Sequence, residues 1–230
     1  MNVSYLHYSF DLWLTLIRSN PAFKEKRARY FQQQHNSKNK SAEEIQSIFR
    51  EVDLMCNAIN EKTGGNISAE EMYLMVICRI NEDHRVIADT DTEALYEEME
   101  QLVFTHMPRI YCEHTIDALA QLRAQEECSI SLLSNTGFIK GKTLRKVLDQ
   151  LSLSSYFDFQ LYSDEAGMSK PNPAFFRLML DTLATKRAVA TKQILHIGDN
   201  PNADLAGAAA AGIPGFLINS NAQTILNLLS

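Results

Sequence analysis

The segment that decides the fold reads Phe10-Asp11-Leu12-Trp13-Leu14-Thr15-Leu16. The segment from Tyr5 to Phe10 leads into it and is predicted to be a buried strand that ends at Asp11. From Pro21 to Met107 the apolar residues recur instead at helical spacing. The first strand is therefore separated from any later strand by a long helical segment.

Helix-start signals divide this helical segment. Ser41-Ala42-Glu43-Glu44 and Ser68-Ala69-Glu70-Glu71 both have the capping-box pattern, a serine followed three residues later by a glutamate. The side chain of Asp91 can cap another helix. We therefore predict an inserted all-helical domain at residues 17–108 and a core domain made of residues 1–16 and 109–230.

Beyond Pro108 the pattern alternates between helices and strands. The predicted strands are 129–133, 157–162, 194–197 and 214–218, and the predicted helices are 115–124, 141–151, 173–182 and 202–211. Such alternation indicates a parallel sheet covered on both faces. The sequence thus predicts an α/β fold, a Rossmann-like doubly wound sheet with an all-helical insertion. Parallel sheets of this kind bind ligands at the carboxyl ends of their strands.

The composition is that of an ordinary globular protein. The chain has 230 residues, of which 45% are hydrophobic and 22% charged, and its net charge of −6 argues against nucleic acid as a partner. The cysteines form no C-x-x-C pair, which disfavours a zinc site. We find no signal-peptide pattern and no apolar stretch of about 20 residues, so we expect no membrane association and a cytoplasmic location. The sequence leaves the oligomeric state open.

Three later segments join the first one in a recognisable order. They are Leu133-Ser134-Asn135-Thr136-Gly137, Ser169-Lys170-Pro171-Asn172-Pro173 and Ile197-Gly198-Asp199-Asn200-Pro201-Asn202-Ala203-Asp204. In order and residue type, the four segments resemble the four motifs of the haloacid dehalogenase superfamily of hydrolases. The resemblance implies that the helical insertion is a cap, which closes over the active site and selects the substrate.

The resemblance also assigns roles to the polar residues. It implies that Asp11 is the nucleophile and that the ammonium of Lys170 offsets negative charge on Asp11 and on the transferred group. Ser134, Asn135 and Thr15 form the implied substrate-binding set. In this set the Ser134 hydroxyl would bind a phosphoryl oxygen, and Thr15 would support the loop beneath the nucleophile.

Mg²⁺ is the cofactor that the resemblance implies. Its ligands would be Asp11, the backbone carbonyl of Trp13, Asp199 and Asp204. Hard cations of this kind prefer carboxylate oxygens. The implied reaction is the hydrolysis of a small phosphorylated metabolite through an aspartyl-phosphate on Asp11.

Trp13 departs from the family pattern, in which a second aspartate stands two residues after the nucleophile. That aspartate protonates the leaving oxygen and later activates water, and indole can do neither, so we expect reduced phosphatase activity. Two alternatives stay open: a metal-independent 2-haloacid dehalogenase, whose family members also carry an aromatic residue here, and a catalytically weak protein that binds phosphorylated ligands. Asp199 favours the metal-dependent phosphatase, because a buried carboxylate beside Asp11 and Asp204 would be costly without a cation.

Two basic segments have simpler interpretations. Gly137–Thr143 resembles a phosphate-binding loop, but only three residues separate its glycines where that loop needs four. Lys24-Glu25-Lys26-Arg27-Ala28-Arg29 could attract anionic substrates to the cap. We interpret it instead as the charged, exposed face of a helix.

Overall fold

A computed structural model describes residues 5–229, so residues 1–4 and 230 of the predicted core domain lie outside the described residues. In chain order the strands are β1 (His7–Phe10), β2 (Ile17–Arg18), β3 (Arg109–Ile110), β4 (Ser129–Ser134), β5 (Phe159–Tyr162), β6 (Ile194–Gly198) and β7 (Gly215–Leu217). Within residues 5–229 the main sheet has the order β5-β4-β1-β6-β7, and its pairings are parallel. The predicted α/β fold is confirmed.

Both faces of the sheet are buried at its central strand, β1. Tyr8 and Phe10 point into the main hydrophobic core, and the polar residues that alternate with them are buried as well. His7 hydrogen-bonds the hydroxyls of Ser129 and Ser131 at 2.8 and 2.9 Å, so its ring nitrogens are satisfied by the neighbouring strand. Burial of these polar groups is tolerated because each finds a partner.

The helices that cover the sheet are α5 (Thr115–Arg123), α6 (Gly141–Gln150), α7 (Ser163–Ala166), α8 (Pro173–Lys186) and α9 (Gly207–Ala210), and a π-helix over Pro201–Ala206 precedes α9. The predicted single helix over 202–211 is thus two elements. In the wider π-turn the Asp204 carboxylate returns to the end of β6 and accepts the backbone N–H of Asn200 at 3.0 Å. A Cβ at Gly198 would overlap that carboxylate, so only glycine fits there.

The insertion is helical as predicted. Its helices are α1 (Pro21–Gln34), α2 (Ala42–Thr63), α3 (Ala69–Asn81) and α4 (Thr92–Thr105). Ser41 and Ser68 both form complete capping boxes, and Asp91 caps α4 by accepting two backbone N–H groups. These helices enclose a hydrophobic cluster of their own, which includes Phe31, Phe49 and Tyr73. The domain boundaries remain a prediction.

A short antiparallel ribbon joins the insertion to the sheet. β2 pairs with β3, with Ile17 opposite Ile110 and Arg18 opposite Arg109. The sequence did not predict these strands, because two residues are too few to show a period. The ribbon ties together the two connections by which the chain leaves and re-enters the sheet.

Candidate active site

A buried charge triad lies at the carboxyl ends of the central strands. Asp11 follows β1, and the Nζ of Lys170 donates to Asp11 Oδ1 and to Asp204 Oδ1, each at 2.7 Å. Thr15 donates its hydroxyl to the other oxygen of Asp11 at 3.0 Å. Only 1% of Lys170 is exposed, so the charge of its ammonium is compensated by these two carboxylates and not by solvent. Sequence segments one, three and four therefore meet at one point, as their positions after strands led us to expect.

The pKa values of all three groups of the triad are shifted from their ordinary values. Burial raises the pKa of Asp11 to about 6, against the opposing charge of Lys170. Burial also disfavours a charged Asp204, but Lys170 and His196 outweigh it and hold the pKa of Asp204 below its ordinary value. The two carboxylates likewise outweigh burial at Lys170 and raise the pKa of its ammonium. Perturbed pKa values of this kind, in one cluster at a strand end, are typical of a functional site.

Asp199 adds a third carboxylate to this cluster. Oxygens of Asp11, Asp199 and Asp204 lie within 4.8 Å of one another. Burial, together with the charges of the other two, raises the pKa of Asp199 to about 7. The cluster contains three carboxylates and one ammonium, so part of its negative charge is not compensated. This donor set fits a hard divalent cation, which prefers carboxylate oxygens.

Asp204 has less free coordination capacity than Asp199. Its Oδ1 accepts from Lys170 and from the Nε2 of His196 at 3.0 Å, and its Oδ2 accepts from the backbone of Asn200. Two donors already fill the lone pairs of Oδ1. A cation in this site would therefore compete with protein donors for Asp204 more than for Asp199.

His196 is a site residue that sequence reasoning missed. It is fully buried in β6, where its two ring nitrogens contact the Ser9 hydroxyl and Asp204 Oδ1, both at 3.0 Å. Burial lowers the pKa of His196 and so favours the neutral imidazole. The sequence feature that could have identified it is a histidine at the centre of an otherwise apolar strand.

Segment two supplies both a hydroxyl and a structural clamp. The hydroxyl of Ser134, at the end of β4, donates to the carbonyl of Asn135 at 3.0 Å. The Asn135 side chain instead holds the backbone of Lys170: its Nδ2 donates to the Lys170 carbonyl at 2.9 Å, and its Oδ1 accepts the Lys170 N–H at 2.7 Å. Asn135 thereby fixes the position of the lysine, and the substrate-binding role of Ser134 and Asn135 stays a prediction.

The C-terminal end of α2 lies over segments three and four. The carbonyl of Gly64 accepts from the Ser169 backbone at 3.2 Å and from the Asn172 side chain at 3.0 Å. Glu61 accepts from the side chains of Asn200 and Asn202 at 3.2 and 2.8 Å. The helical insertion thus covers the loops that carry Lys170 and Asp199.

Sequence comparison now identifies the family. A sequence model of haloacid dehalogenase-like hydrolases matches residues 8–212, a range that contains all four segments. The chain belongs to the haloacid dehalogenase-like hydrolases. It is also 26% identical over 174 residues to a ribulose-1,5-bisphosphate 5-phosphatase of Halopiger xanaduensis, a match that covers 72% of this chain and 65% of that protein. Matches to two further curated relatives cover 44% and 38% of their length, so the chain spans less than half of each.

Solved structures of this hydrolase family share the fold. The HAD-hydrolase YfnB from Bacillus subtilis bound to magnesium superposes with a TM-score of 0.71 at 16% identity, covering 96% of this chain and 91% of YfnB. The 2-haloacid dehalogenase from Pseudomonas syringae superposes with a TM-score of 0.62 at 19% identity, covering 95% and 88%. At these identities the two structures show the fold alone, so the choice of reaction rests on the residues of the site.

Trp13 departs from the family motif. Its indole is half-buried and packs against the main hydrophobic core. Leu14, which follows it, has a φ of 59° in the left-handed region and is 51% exposed. Nothing on the Trp13 side chain can deliver a proton to an oxygen leaving group.

We expect Lys170→Met to destabilise this hydrolase in a pH-dependent way. The change leaves Asp11 and Asp204 buried without their cation, and the loss of one partner from a buried ion pair costs about 3–5 kcal/mol. The carboxyl pKa values then rise in the folded state, so the stability loss grows as pH rises through them and shrinks in acid. Urea unfolding at pH 5 and pH 8 measures this. The exposed Lys192→Met is the control, and equal losses at both pH values would contradict the prediction.

Proposed function

We propose that this protein is a Mg²⁺-dependent phosphatase of small phosphorylated metabolites that acts through an aspartyl-phosphate on Asp11. The observation that carries the proposal is the geometry around Asp11. Lys170 and Thr15 each hold one of its oxygens, and Asp199 stands beside it in a cluster with excess negative charge. A nucleophile, a fixed counter-charge and a cation site are the parts that phosphoryl transfer requires.

The residues of the site have different roles in this mechanism. Asp11 attacks phosphorus and forms the acyl phosphate as the ester oxygen leaves. Lys170 offsets the negative charge that gathers on the transferred group, and the Ser134 hydroxyl binds one of its oxygens. Water then attacks the phosphorus and releases Asp11 as a free carboxylate. Because Trp13 gives no proton to the leaving oxygen, the first step favours substrates whose leaving group is stable as an anion.

The metal would be held by Asp11, Asp199, Asp204 and the backbone carbonyl of Trp13. Bound Mg²⁺ would supply positive charge that offsets the negative charge of the phosphoryl oxygens. Among these ligands, we expect Asp199 to contribute most to Mg²⁺ affinity. Its carboxylate lacks the direct contact with Lys170 that Asp11 and Asp204 have, and burial, together with the charges of those two carboxylates, raises its pKa.

Asp199→Asn is expected to weaken Mg²⁺ binding by at least about 10–100-fold, the loss caused even by residues that only support a ligand. An amide keeps the shape of the carboxylate but brings no charge to the cation. Calorimetric titration with Mg²⁺ measures the effect, and the exposed Asp181→Asn is the matched control. If Asp199→Asn binds Mg²⁺ as the parent does, the proposed metal site is wrong.

A metal-independent 2-haloacid dehalogenase is the rival that Trp13 favours, because halide leaves without a proton. Asp199 weighs against it, since that reaction has no use for a third carboxylate beside the nucleophile. A panel of phosphomonoesters, acyl phosphates and 2-haloacids, each assayed with Mg²⁺ and with chelator, separates the two. Binding of phosphorylated ligands without any turnover would identify a binding protein instead.

The remaining expectations concern the setting in which the protein works. No helix among residues 5–229 is both long and apolar enough to cross a membrane. We propose a cytoplasmic location, a small phosphorylated substrate and no nucleic-acid partner. We further propose that residues 17–108 are the cap and that its closure excludes water from the charged site.

A further inference from the structure

Arg27 is a buried charge that the mechanism does not use. Helix α1 was interpreted as exposing its whole basic run, and this is wrong for Arg27, which is only 8% exposed. Its guanidinium carbon lies 3.9 Å from the ring centre of Phe49, 4.7 Å from that of Phe138 and 5.2 Å from that of Phe23. Three aromatic rings therefore surround the cation.

The guanidinium has no full counter-charge. Among residues 5–229 no carboxylate oxygen lies within 4.0 Å of its nitrogens, and its buried Nε has no hydrogen-bond partner. Asp53 and the Tyr73 hydroxyl are its polar neighbours. By contrast, the other fully buried cation, Lys170, contacts two carboxylates. Aromatic rings compensate only part of the cost of burying a cation, and Asp53 forms no ion pair with Arg27, so the guanidinium has no directly paired anion.

The position of Arg27 places that missing anion beside the active site. Phe138 belongs to the loop that follows Ser134 and Asn135, yet it is buried in the hydrophobic cluster of the helical insertion. An Asp53 carboxylate oxygen lies 3.5 Å from where a Cβ on Gly137 would stand, so the same loop also borders Asp53. Arg27 thus lies where the insertion meets the segment that carries the predicted phosphoryl-binding serine.

We propose that Arg27 recognises a second anionic group on the substrate, a carboxylate or a second phosphate at the end remote from the phosphoryl group that is transferred. The inference rests on the proposed function and specifies its substrate class. Phe49 is on a helix of the insertion and packs in its hydrophobic cluster, whereas Phe138 reaches that cluster from a loop of the sheet domain. Opening of the insertion separates Phe138 from the guanidinium and admits the anion to the unpartnered Nε. A guanidinium suits this task because its planar donors match two oxygens of one anionic group.

Binding of non-hydrolysable ligands tests the proposal without relying on turnover. The probes are ω-phosphonoalkanoates with one to four methylene groups between phosphonate and carboxylate, α,ω-bisphosphonates of the same lengths, and alkylphosphonates that lack the second anion. Each is titrated by calorimetry, with Mg²⁺ present, into the parent, Arg27→Met and Arg29→Met. Arg29 is the matched control, because it is on the same helix and its side chain is 58% exposed.

We expect at least one doubly anionic probe to bind the parent about tenfold or more tightly than its alkylphosphonate, as a charge-assisted hydrogen bond provides. Arg27→Met should lose that advantage and keep its affinity for alkylphosphonates, and Arg29→Met should keep both. The Tm of Arg27→Met should not fall, because methionine replaces an unpaired buried charge. The carboxylate and bisphosphonate series identify which anion fits.

Two results would overturn the proposal. One is a parent that binds every doubly anionic probe no better than the matching alkylphosphonate. The other is an Arg27→Met variant that loses affinity for all probes equally together with a lower Tm, the behaviour of a structural brace. Should Arg27→Met not fold, Arg27→Lys takes its place and must reduce the advantage of the doubly anionic probes. A parent that shows the advantage but hydrolyses neither phosphomonoesters nor acyl phosphates refutes the proposed function and leaves the anion site standing.

Discussion

Asp11→Asn is expected to lower hydrolysis by about 10³-fold or more while the fold is kept, because an amide is a far weaker nucleophile than a carboxylate. The asparagine has the same shape: its amide oxygen can accept from Lys170, and its Nδ2 can donate to the Thr15 hydroxyl. Lys170 keeps its contact with Asp204, so no buried cation is left alone. The change also removes a carboxylate whose ionised form is disfavoured by burial, so we expect no loss of stability.

Single-turnover and steady-state rates on an acyl phosphate, measured beside urea unfolding, check this prediction. Asp117→Asn, at an exposed position of α5, is the control for the chemical change itself. Turnover of Asp11→Asn at the parent rate would show that another group attacks phosphorus. A variant that is inactive because it is unfolded would be recognised by its unfolding curve.

The fold could be predicted from the sequence because its signals are local. Ser41, Ser68 and Asp91 announce helix starts through hydrogen bonds made within a few residues, and all three caps are present in the structure. The parallel direction of the strands also follows from their alternation with helices. Asp11, Lys170 and Asp204 could be brought together in advance because each lies at or beyond the carboxyl end of a strand, and those ends share one edge.

Other features depend on contacts that no local pattern encodes. Arg27 lies in a charged run, and the rings that bury it include Phe138 from a distant loop. Asn135 contacts the backbone of Lys170, 35 residues away, so its side-chain partner could not be read from its own segment. His196 looked like one polar residue in an apolar strand, and its role depends on the turn that returns Asp204 to the sheet.

The second large effect is expected at Trp13. Trp13→Asp should raise turnover of alkyl phosphates by about 10²–10⁴-fold, the usual contribution of a general acid and base, because the new carboxyl can protonate the alkoxide that leaves. Acyl phosphates should gain far less, since their leaving oxygen needs no proton. In the parent the aspartyl-phosphate on Asp11 should persist, because the water that attacks it has no base.

Trp13→Asn is the control that separates proton transfer from packing. Both substitutions remove an indole that packs against the main core, so both lose the same contacts. Only the aspartate can exchange a proton, and the ratio of the two variants on alkyl phosphates therefore measures acid and base catalysis alone. Mass spectrometry should trap the phosphorylated Asp11 in the parent and in Trp13→Asn, and find it depleted in Trp13→Asp. Equal rates for the two variants would show that an aspartate at position 13 takes no part in proton transfer. Release of halide from 2-haloacids by the parent protein, assayed in chelator, would instead assign Trp13 to a dehalogenase pocket.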